Sequence, residues 1–549
     1  MKIFITLLIF ILSCNALPRE YALLKEYMAS RDVNLGLRIL KEYPDAVFAD
    51  DLKLMLANEV TPGKIQKSTA INLLLSVNPR SLRDDLKPQL LRLWKELGLD
   101  PKVAVIKDPI LFKEFIPEVR LEPEEVKKVA SELQRRRMHQ EAIALIERHS
   151  PAEHCYLLSR SQRALRMPQA INTLQNCQDP NAKEDLVVML FEQGQNERAL
   201  QTLALIKDEN IVDNARFRIA RISMQRGASS LAIEVLNEMK PSYRKEFNLG
   251  LCYFALNDYQ RALDSFLKSL ELSQNKEEKT AAHFWIYRCK SALGVSSASE
   301  NLVKATSGSG FYQAIASKEV GVPIHNRALK AVLKDSGMPK TASLIRLIRE
   351  EFPLYYRREA FKRLEELSAA DIISIASFDP NLAIRLSVRR FGHGSNVYNA
   401  VAYPTPFQSF VERASQTYKI EPALIYAVMR QESLFDVRAT SVANARGLMQ
   451  LLDSTAQEVA KKEGIPLRDI YEPETNIMLG TAYLKWLLDQ LGGDYARALA
   501  GYNAGPARAR AWSYYSDTYL FIENIPFAET RDYVKKVLYN YYVYQNLLE

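Results

Sequence analysis

A small residue returns at a helical spacing through the first half of the chain, and it limits the fold more than any other feature. Alanine stands four positions before a large apolar residue at Ala142 with Ile146, Ala170 with Leu174, Ala199 with Leu203, Ala232 with Leu236 and Ala262 with Phe266. Successive alanines lie roughly thirty residues apart, the length of a helix hairpin, and residues four apart share a helix face. Only a small side chain fits where two helices cross most closely, so the period predicts hairpins stacked into an α-solenoid. Helix pairs are expected from about Arg19 to Arg390. Composition agrees with an all-α chain: Leu, Ala, Lys, Glu and Arg are abundant, and only 20 glycines occur in 549 residues. That length exceeds what one hydrophobic core serves, so two or three domains are expected.

One repeat is nearly complete. Leu249, Gly250, Tyr253, Tyr259, Ala262 and Phe266 resemble the tetratricopeptide consensus, with Asn257 in place of a turn glycine, where asparagine tolerates a left-handed conformation. Such a surface suits peptides or partner proteins in a concave groove. After it, Ser307-Gly308-Ser309-Gly310 and Tyr403-Pro404-Thr405-Pro406 interrupt the helical pattern and mark boundaries.

Beyond the second break a carboxylate sits where structure alone does not call for one. Proline at position 422, after Glu421, opens a helix that runs through Ala423, Leu424, Ile425, Ala427, Val428 and Met429 to Glu432, Leu434 and Phe435. Helical spacing puts Glu432 on the face of Ile425, Val428 and Met429. A carboxyl on an apolar face loses water, which raises its pKa toward neutrality and makes it a candidate general acid. The plainer alternative is a glutamate at the edge of the stripe that reaches solvent or pairs with Arg430 or Arg438. Asp436, the nearest second carboxylate, follows the loss of helical pattern and reads as a turn cap or a partner of Arg438.

Four blocks then decide between these readings. Arg430-Gln431-Glu432-Ser433, Gly447-Leu448-Met449-Gln450, Tyr502-Asn503-Ala504-Gly505-Pro506 and Glu529-Thr530-Arg531 with Tyr533 resemble, in order and spacing, the catalytic domain of the soluble lytic transglycosylases, lysozyme-like enzymes of the bacterial cell wall. Phe311 to Gly321 resembles the pattern that precedes the linker domain of that family. The apolar amino terminus, the repeat pattern, the two breaks and the resemblance together divide the chain into a signal peptide over 1–16, a superhelical domain over 17–310, a helical linker over 311–403 and a lysozyme-like catalytic domain over 404–549. The resemblance implies that Glu432 is the one catalytic acid and base, cleaving between N-acetylmuramic acid and N-acetylglucosamine with a 1,6-anhydro product. Ser441 and Tyr502 would orient Glu432, while Gln450, Met449, Asn503 and Glu529 would contact or position sugar. Two other readings stay open: a hydrolytic muramidase on the same fold, told apart by its products, and a non-catalytic peptidoglycan-binding adaptor. The partners implied are peptidoglycan glycan strands and, through the superhelix, other cell-wall enzymes; the protein is expected to be a monomer and needs no metal or organic cofactor.

Three departures from the family pattern bear on local structure. Asn444 stands where many relatives have glycine; Asp453 replaces a proline and is expected to cap a helix beginning near Ser454; Leu452 replaces a methionine.

The amino terminus reads as an export signal. Lys2 precedes an apolar run from Ile3 to Leu12, too short to span a membrane, and Ala16 is a cleavage position. The periplasm is the expected location, and Ile11-Leu12-Ser13-Cys14 also resembles an imperfect lipoprotein signal that would anchor the protein at the outer membrane through Cys14. No other segment is apolar enough to cross a bilayer. Cys155 begins one expected helix and Cys177 ends the next, so a disulfide between them fits an oxidising compartment, with buried free thiols as the alternative. Cys252 and Cys289 are the weaker pair. The formal charge of +8 comes from upstream of Pro406, and no compact basic patch interleaves with aromatics, which argues against nucleic acid. Scattered histidines and no Cys-x-x-Cys spacing argue against a metal site.

Overall fold

The computed structural model describes residues 17–60, 63–324, 339–512 and 514–548. The expected signal peptide and Cys14 lie outside the described residues. Helices dominate, and the only β pairing among the described residues is two isolated antiparallel bridges, Thr440 with Arg446 and Arg446 with Leu451. The chain divides into two compact units, each built from two stretches: Met1–Gln178 with Ala328–Ala402, and Asp179–Arg327 with Tyr403–Glu549.

The repeat pattern has a direct backbone counterpart. Arg137, Arg166, Gly194, Gly227, Asn257 and Gly294 all hold positive φ, between 57° and 77°. Each ends a helix, and the amide after it reaches back five residues, as Met138 does to the Leu133 carbonyl, Asp258 to Tyr253 and Val295 to Lys290. This closing turn satisfies carbonyls the helix end would otherwise leave bare. Asn257, at φ 60°, adopts the left-handed turn expected of it. The five spaced alanines are at most 1% exposed. At Gly250 an added Cβ would come within 2.7 Å of the Phe266 ring, so the glycine and the phenylalanine of the tetratricopeptide-like repeat need each other.

In the first unit, Tyr21, Leu24, Tyr27, Ile39 and Phe48 share a core with Ile348 and Tyr355, which joins its two stretches. The Tyr21 hydroxyl donates to buried Glu359 at 3.1 Å, and Arg363 donates to the same carboxylate at 2.7 Å. Cys155 and Cys177 are joined by a disulfide with their Cα atoms 5.5 Å apart, closing the hairpin of helices Cys155–Ala164 and Gln169–Gln175. Cys252 and Cys289, in the second unit, are buried free thiols.

In the second unit the helix Pro422–Ser433 lies along the long C-terminal helix Ala528–Leu548. Glu421, at the start of the former, accepts from the Tyr541 hydroxyl at 2.9 Å and from Gln545 at 3.0 Å, fixing the register of the pair.

Candidate active site

Seven consecutive residues from Ala423 to Met429 are at most 4% exposed, so the Glu432 helix is buried on every side before it reaches the carboxylate. It stops at Ser433, earlier than its apolar pattern suggests. Leu434 and Phe435 both take left-handed backbone, at φ 48° and 67°, a conformation that costs a non-glycine residue about 1 kcal/mol or more. The Ser433 hydroxyl helps hold that turn by donating to the Leu448 carbonyl at 2.8 Å and accepting the Phe435 amide at 3.1 Å. The chain thus leaves the helix abruptly, and Glu432 is left at its end, half-buried.

The Gly447–Gln450 segment passes beneath as an irregular loop. Asn476, wholly buried, accepts the Met449 amide at 2.8 Å and donates to the carbonyls of Arg446 at 3.2 Å and Ile470 at 2.8 Å. Only glycine fits at 447: φ is +79°, and a Cβ would stand 2.3 Å from the Asn476 amide nitrogen. The next helix starts at Asp453 with Leu452 before it, so Asp453 is not the cap expected from sequence; its carboxylate pairs instead with Arg446 at 3.2 Å. Asn444 does adopt the left-handed turn, at φ 65°.

Glu432 accepts a hydrogen bond from the hydroxyl of Tyr533 at 2.7 Å. Burial pushes its pKa up to about 7 against the opposing pull of that bond. Among the described residues no charged side chain adds to that shift. Arg430 donates to Asn540 at 3.1 Å and lies over the Tyr403 ring, and Arg438 lies over Tyr471. Asp436 accepts the Arg438 amide at 3.2 Å, the turn-capping role expected of it. The carboxyl is therefore held between its two protonation states near neutral pH.

Tyr502 approaches from the helix Tyr495–Ala504. Its hydroxyl donates to the Met449 carbonyl at 2.8 Å, and burial together with the nearby Glu432 carboxyl pushes the phenol pKa well up. Tyr533 is pushed up by the same two causes and by Tyr502, so the three groups form one cluster. Asn503 accepts from Thr530 at 2.7 Å, tying the Tyr502 block to the C-terminal helix. Gly505, at φ 94°, ends the Tyr502 helix and Pro506 opens the next.

Other residues singled out from sequence take supporting places. The Ser441 hydroxyl accepts the Ala445 amide at 3.0 Å within an exposed turn, so it holds the turn and not the carboxyl. Gln450 donates to the carbonyls of Ala439 at 3.0 Å and Gly447 at 2.9 Å, bracing the loop. Met449 is fully buried and packs against Gly480, so it reaches Tyr502 through its carbonyl. Glu529 and Asn503 are exposed. Tyr533, the residue that touches the acid, was not among the expected site residues, although it belongs to the Glu529-Thr530-Arg531 block; its position three residues past Thr530 puts it one helical turn on, facing Glu432. Among the described residues no group of three His, Cys, Asp or Glu side chains is arranged to hold a metal ion.

Comparison with known proteins gives matches along the same segments. The transglycosylase SLT domain family matches residues 409–525, the soluble lytic transglycosylase helical domain 524–549, and the tetratricopeptide repeat 244–276. The soluble lytic murein transglycosylase of Salmonella typhimurium is 39% identical over 144 residues, 25% of this chain and 22% of that protein. The match thus spans about a fifth of that relative's length. Among solved structures, an inactive variant of the lytic transglycosylase Slt from Pseudomonas aeruginosa matches with a TM-score of 0.59 at 21% identity, over 96% of this chain and 91% of that one. The 70 kDa soluble lytic transglycosylase of Escherichia coli matches with a TM-score of 0.63 at 18% identity, over the same shares. The fold is therefore the all-α arrangement of superhelical and lysozyme-like parts that was expected.

Proposed function

Since the chain belongs to the Slt-type family of lytic transglycosylases, we propose that it cleaves the bond between N-acetylmuramic acid and N-acetylglucosamine in peptidoglycan, with Glu432 as sole acid and base. The observation that carries this reading is the Glu432 carboxyl at the end of its helix, with the Tyr533 hydroxyl on it at 2.7 Å, its pKa pushed up to about 7 by lost solvation, and no second carboxylate among the described residues acting on it. Glycosidases that admit water as nucleophile pair two carboxylates, roughly 5 to 10 Å apart. Here one group suffices if the nucleophile is supplied by the sugar. Glu432 protonates the glycosidic oxygen as the bond to the anomeric carbon breaks. As carboxylate it then takes the proton of the muramoyl C6 hydroxyl, whose oxygen closes on that carbon to give the 1,6-anhydro ring. Tyr533 stabilises the carboxylate between the steps, and Tyr502 holds the loop beneath. Exposed Asn503 and Glu529 are suited to meet sugar, with Ser441 and Gln450 shaping the loop around it.

The enzyme acts in the periplasm, as a monomer on glycan strands, with residues 404–549 as the catalytic domain, 311–403 as linker and the superhelix of 17–310 available to partner proteins. In support, no helix among the described residues is long and apolar enough to cross a membrane. Mass spectrometry of fragments released from purified sacculi tests the reaction. Anhydromuramoyl ends are expected; reducing ends alone would make the protein a hydrolytic muramidase, and no release at all an adaptor.

A further inference from the structure

The helix Phe311–Val320 belongs to the first half of the unit that holds Glu432, and its second residue is buried against the second half. Tyr312, 5% exposed, donates its hydroxyl to the carboxylate of Glu523 and accepts from the Trp285 indole at 2.9 Å. Glu523, 7% exposed, also accepts from the Lys535 ammonium at 2.8 Å, and that ammonium lies 5.5 Å from the centre of the Tyr312 ring. Arg221, itself anchored to Asn248 at 3.1 Å, donates to the main-chain carbonyl of Glu523. A buried carboxylate with an ammonium and a phenol on it is strongly oriented, because removing either partner leaves a charge or donor unsatisfied. Although burial opposes ionisation, Lys535 is the main influence holding the Glu523 carboxyl below its ordinary range, with its own hydrogen bond, that of Tyr312, and the charge of Arg531 adding to it.

Lys535 stands two residues after Tyr533 on the C-terminal helix. At 100° per residue the two side chains leave opposite sides of that helix, one toward Glu432 and the other toward Glu523. The helix is thus gripped on one side by the catalytic carboxyl and on the other by a cluster anchored in the repeat region.

We propose that Tyr312, Glu523 and Lys535 are positioning residues for the catalytic acid, setting the rotation of the C-terminal helix and with it the Tyr533 hydroxyl on Glu432. None of the three touches substrate. The inference rests on Glu432 being the catalytic acid, and it gives the Phe311–Gly321 motif a task within the reaction.

Tyr312→Phe removes the hydroxyl and keeps the ring. The assay is steady-state cleavage of soluble uncrosslinked glycan strands across pH, for the full chain, with Tm measured in parallel. The titrating groups that face Glu432 are Tyr533 and Tyr502; those around Glu523 are Tyr312, Lys535, Arg531, Arg221 and Tyr243. A tenfold fall in kcat at nearly constant KM is expected. The alkaline limb of the pH profile should move upward, as loss of the Tyr533 bond to the carboxylate requires. In a Tyr533→Phe background the same substitution should move the limb no further. Glu523→Gln, which keeps the shape of the cluster, should reproduce the shift. An unmoved limb in both variants, or shifts that add fully in the Tyr533→Phe background, overturns the inference while Glu432→Gln still abolishes cleavage. Retained cleavage by Glu432→Gln would instead overturn the proposed catalytic role itself.

Discussion

A carboxyl kept out of water is a burden on folding, and Glu432→Gln should expose its size. The folded pKa is raised from 4.5 to about 7. The proton-linked stability is then fully present below about pH 4.5 and is lost as pH rises through about 7. At about 1.4 kcal/mol per pKa unit the loss reaches about 3 kcal/mol above neutrality, and about 1 kcal/mol at pH 5. Glutamine has nearly the same shape, keeps an oxygen for the Tyr533 hydroxyl and does not ionise. It should therefore stabilise the protein by about 3 kcal/mol at pH 8 and by about 1 kcal/mol at pH 5. For a unit of roughly 300 residues, with about 2 cal/mol/K of unfolding entropy per residue, the larger figure is about 5 °C in Tm. The same variant should lose cleavage by on the order of a hundredfold or more. Differential scanning calorimetry at the two pH values checks the first claim. Equal shifts at pH 5 and pH 8, or a lower Tm at pH 8, would refute the account of Glu432 as a desolvated acid.

Tyr533→Phe removes the bond that favours the carboxylate, so the alkaline limb of the pH–rate profile should rise above that of the parent; a downward move would contradict the geometry. Gly447→Ala drives a Cβ into Asn476 at a left-handed position and should cost about 3 kcal/mol, with cleavage falling alongside, read by urea unfolding and by activity. Reduction of the Cys155–Cys177 disulfide reopens a loop of sequence separation 22 and should remove about 3 kcal/mol, seen as a lower unfolding midpoint in the presence of a thiol reductant. Cys155→Ala should abolish that response to reductant.

Much of this arrangement is written in short-range pattern. The alanine period reports the closest helix crossings because no larger side chain fits them, and Asn257 reports its turn because few residues tolerate positive φ. Glu432 is visible because its neighbours three and four residues away are apolar. What pattern did not reveal is where the helix ends and what meets the carboxyl. Leu434 and Phe435 look like two more apolar residues of the helix, yet tertiary contacts from Ser433 force them into left-handed backbone. The expected cap at Asp453 fails because the helix begins one residue earlier than the pattern suggested, which puts Asp453 inside it with its carboxylate on Arg446. Tyr533 binds Glu432 across 101 residues, a separation at which periodicity carries no information. Ser441 was expected at the carboxyl and instead closes its own turn by accepting the Ala445 amide.

The site's dependence on distant partners has a kinetic meaning. Contacts at separations of 101 residues for Glu432 with Tyr533 and 211 for Tyr312 with Glu523 form only after long loops have closed, which makes them late events in folding. A chain with its helices already wound but these loops still open carries an ordinary wet glutamate of low pKa. On the proposed mechanism such an intermediate holds no proton to give to a glycosidic oxygen near neutral pH. The chemistry proposed for Glu432 is thus withheld until tertiary assembly is complete, and its raised pKa serves as a reporter of the native topology: refolding should restore helical content before it restores cleavage.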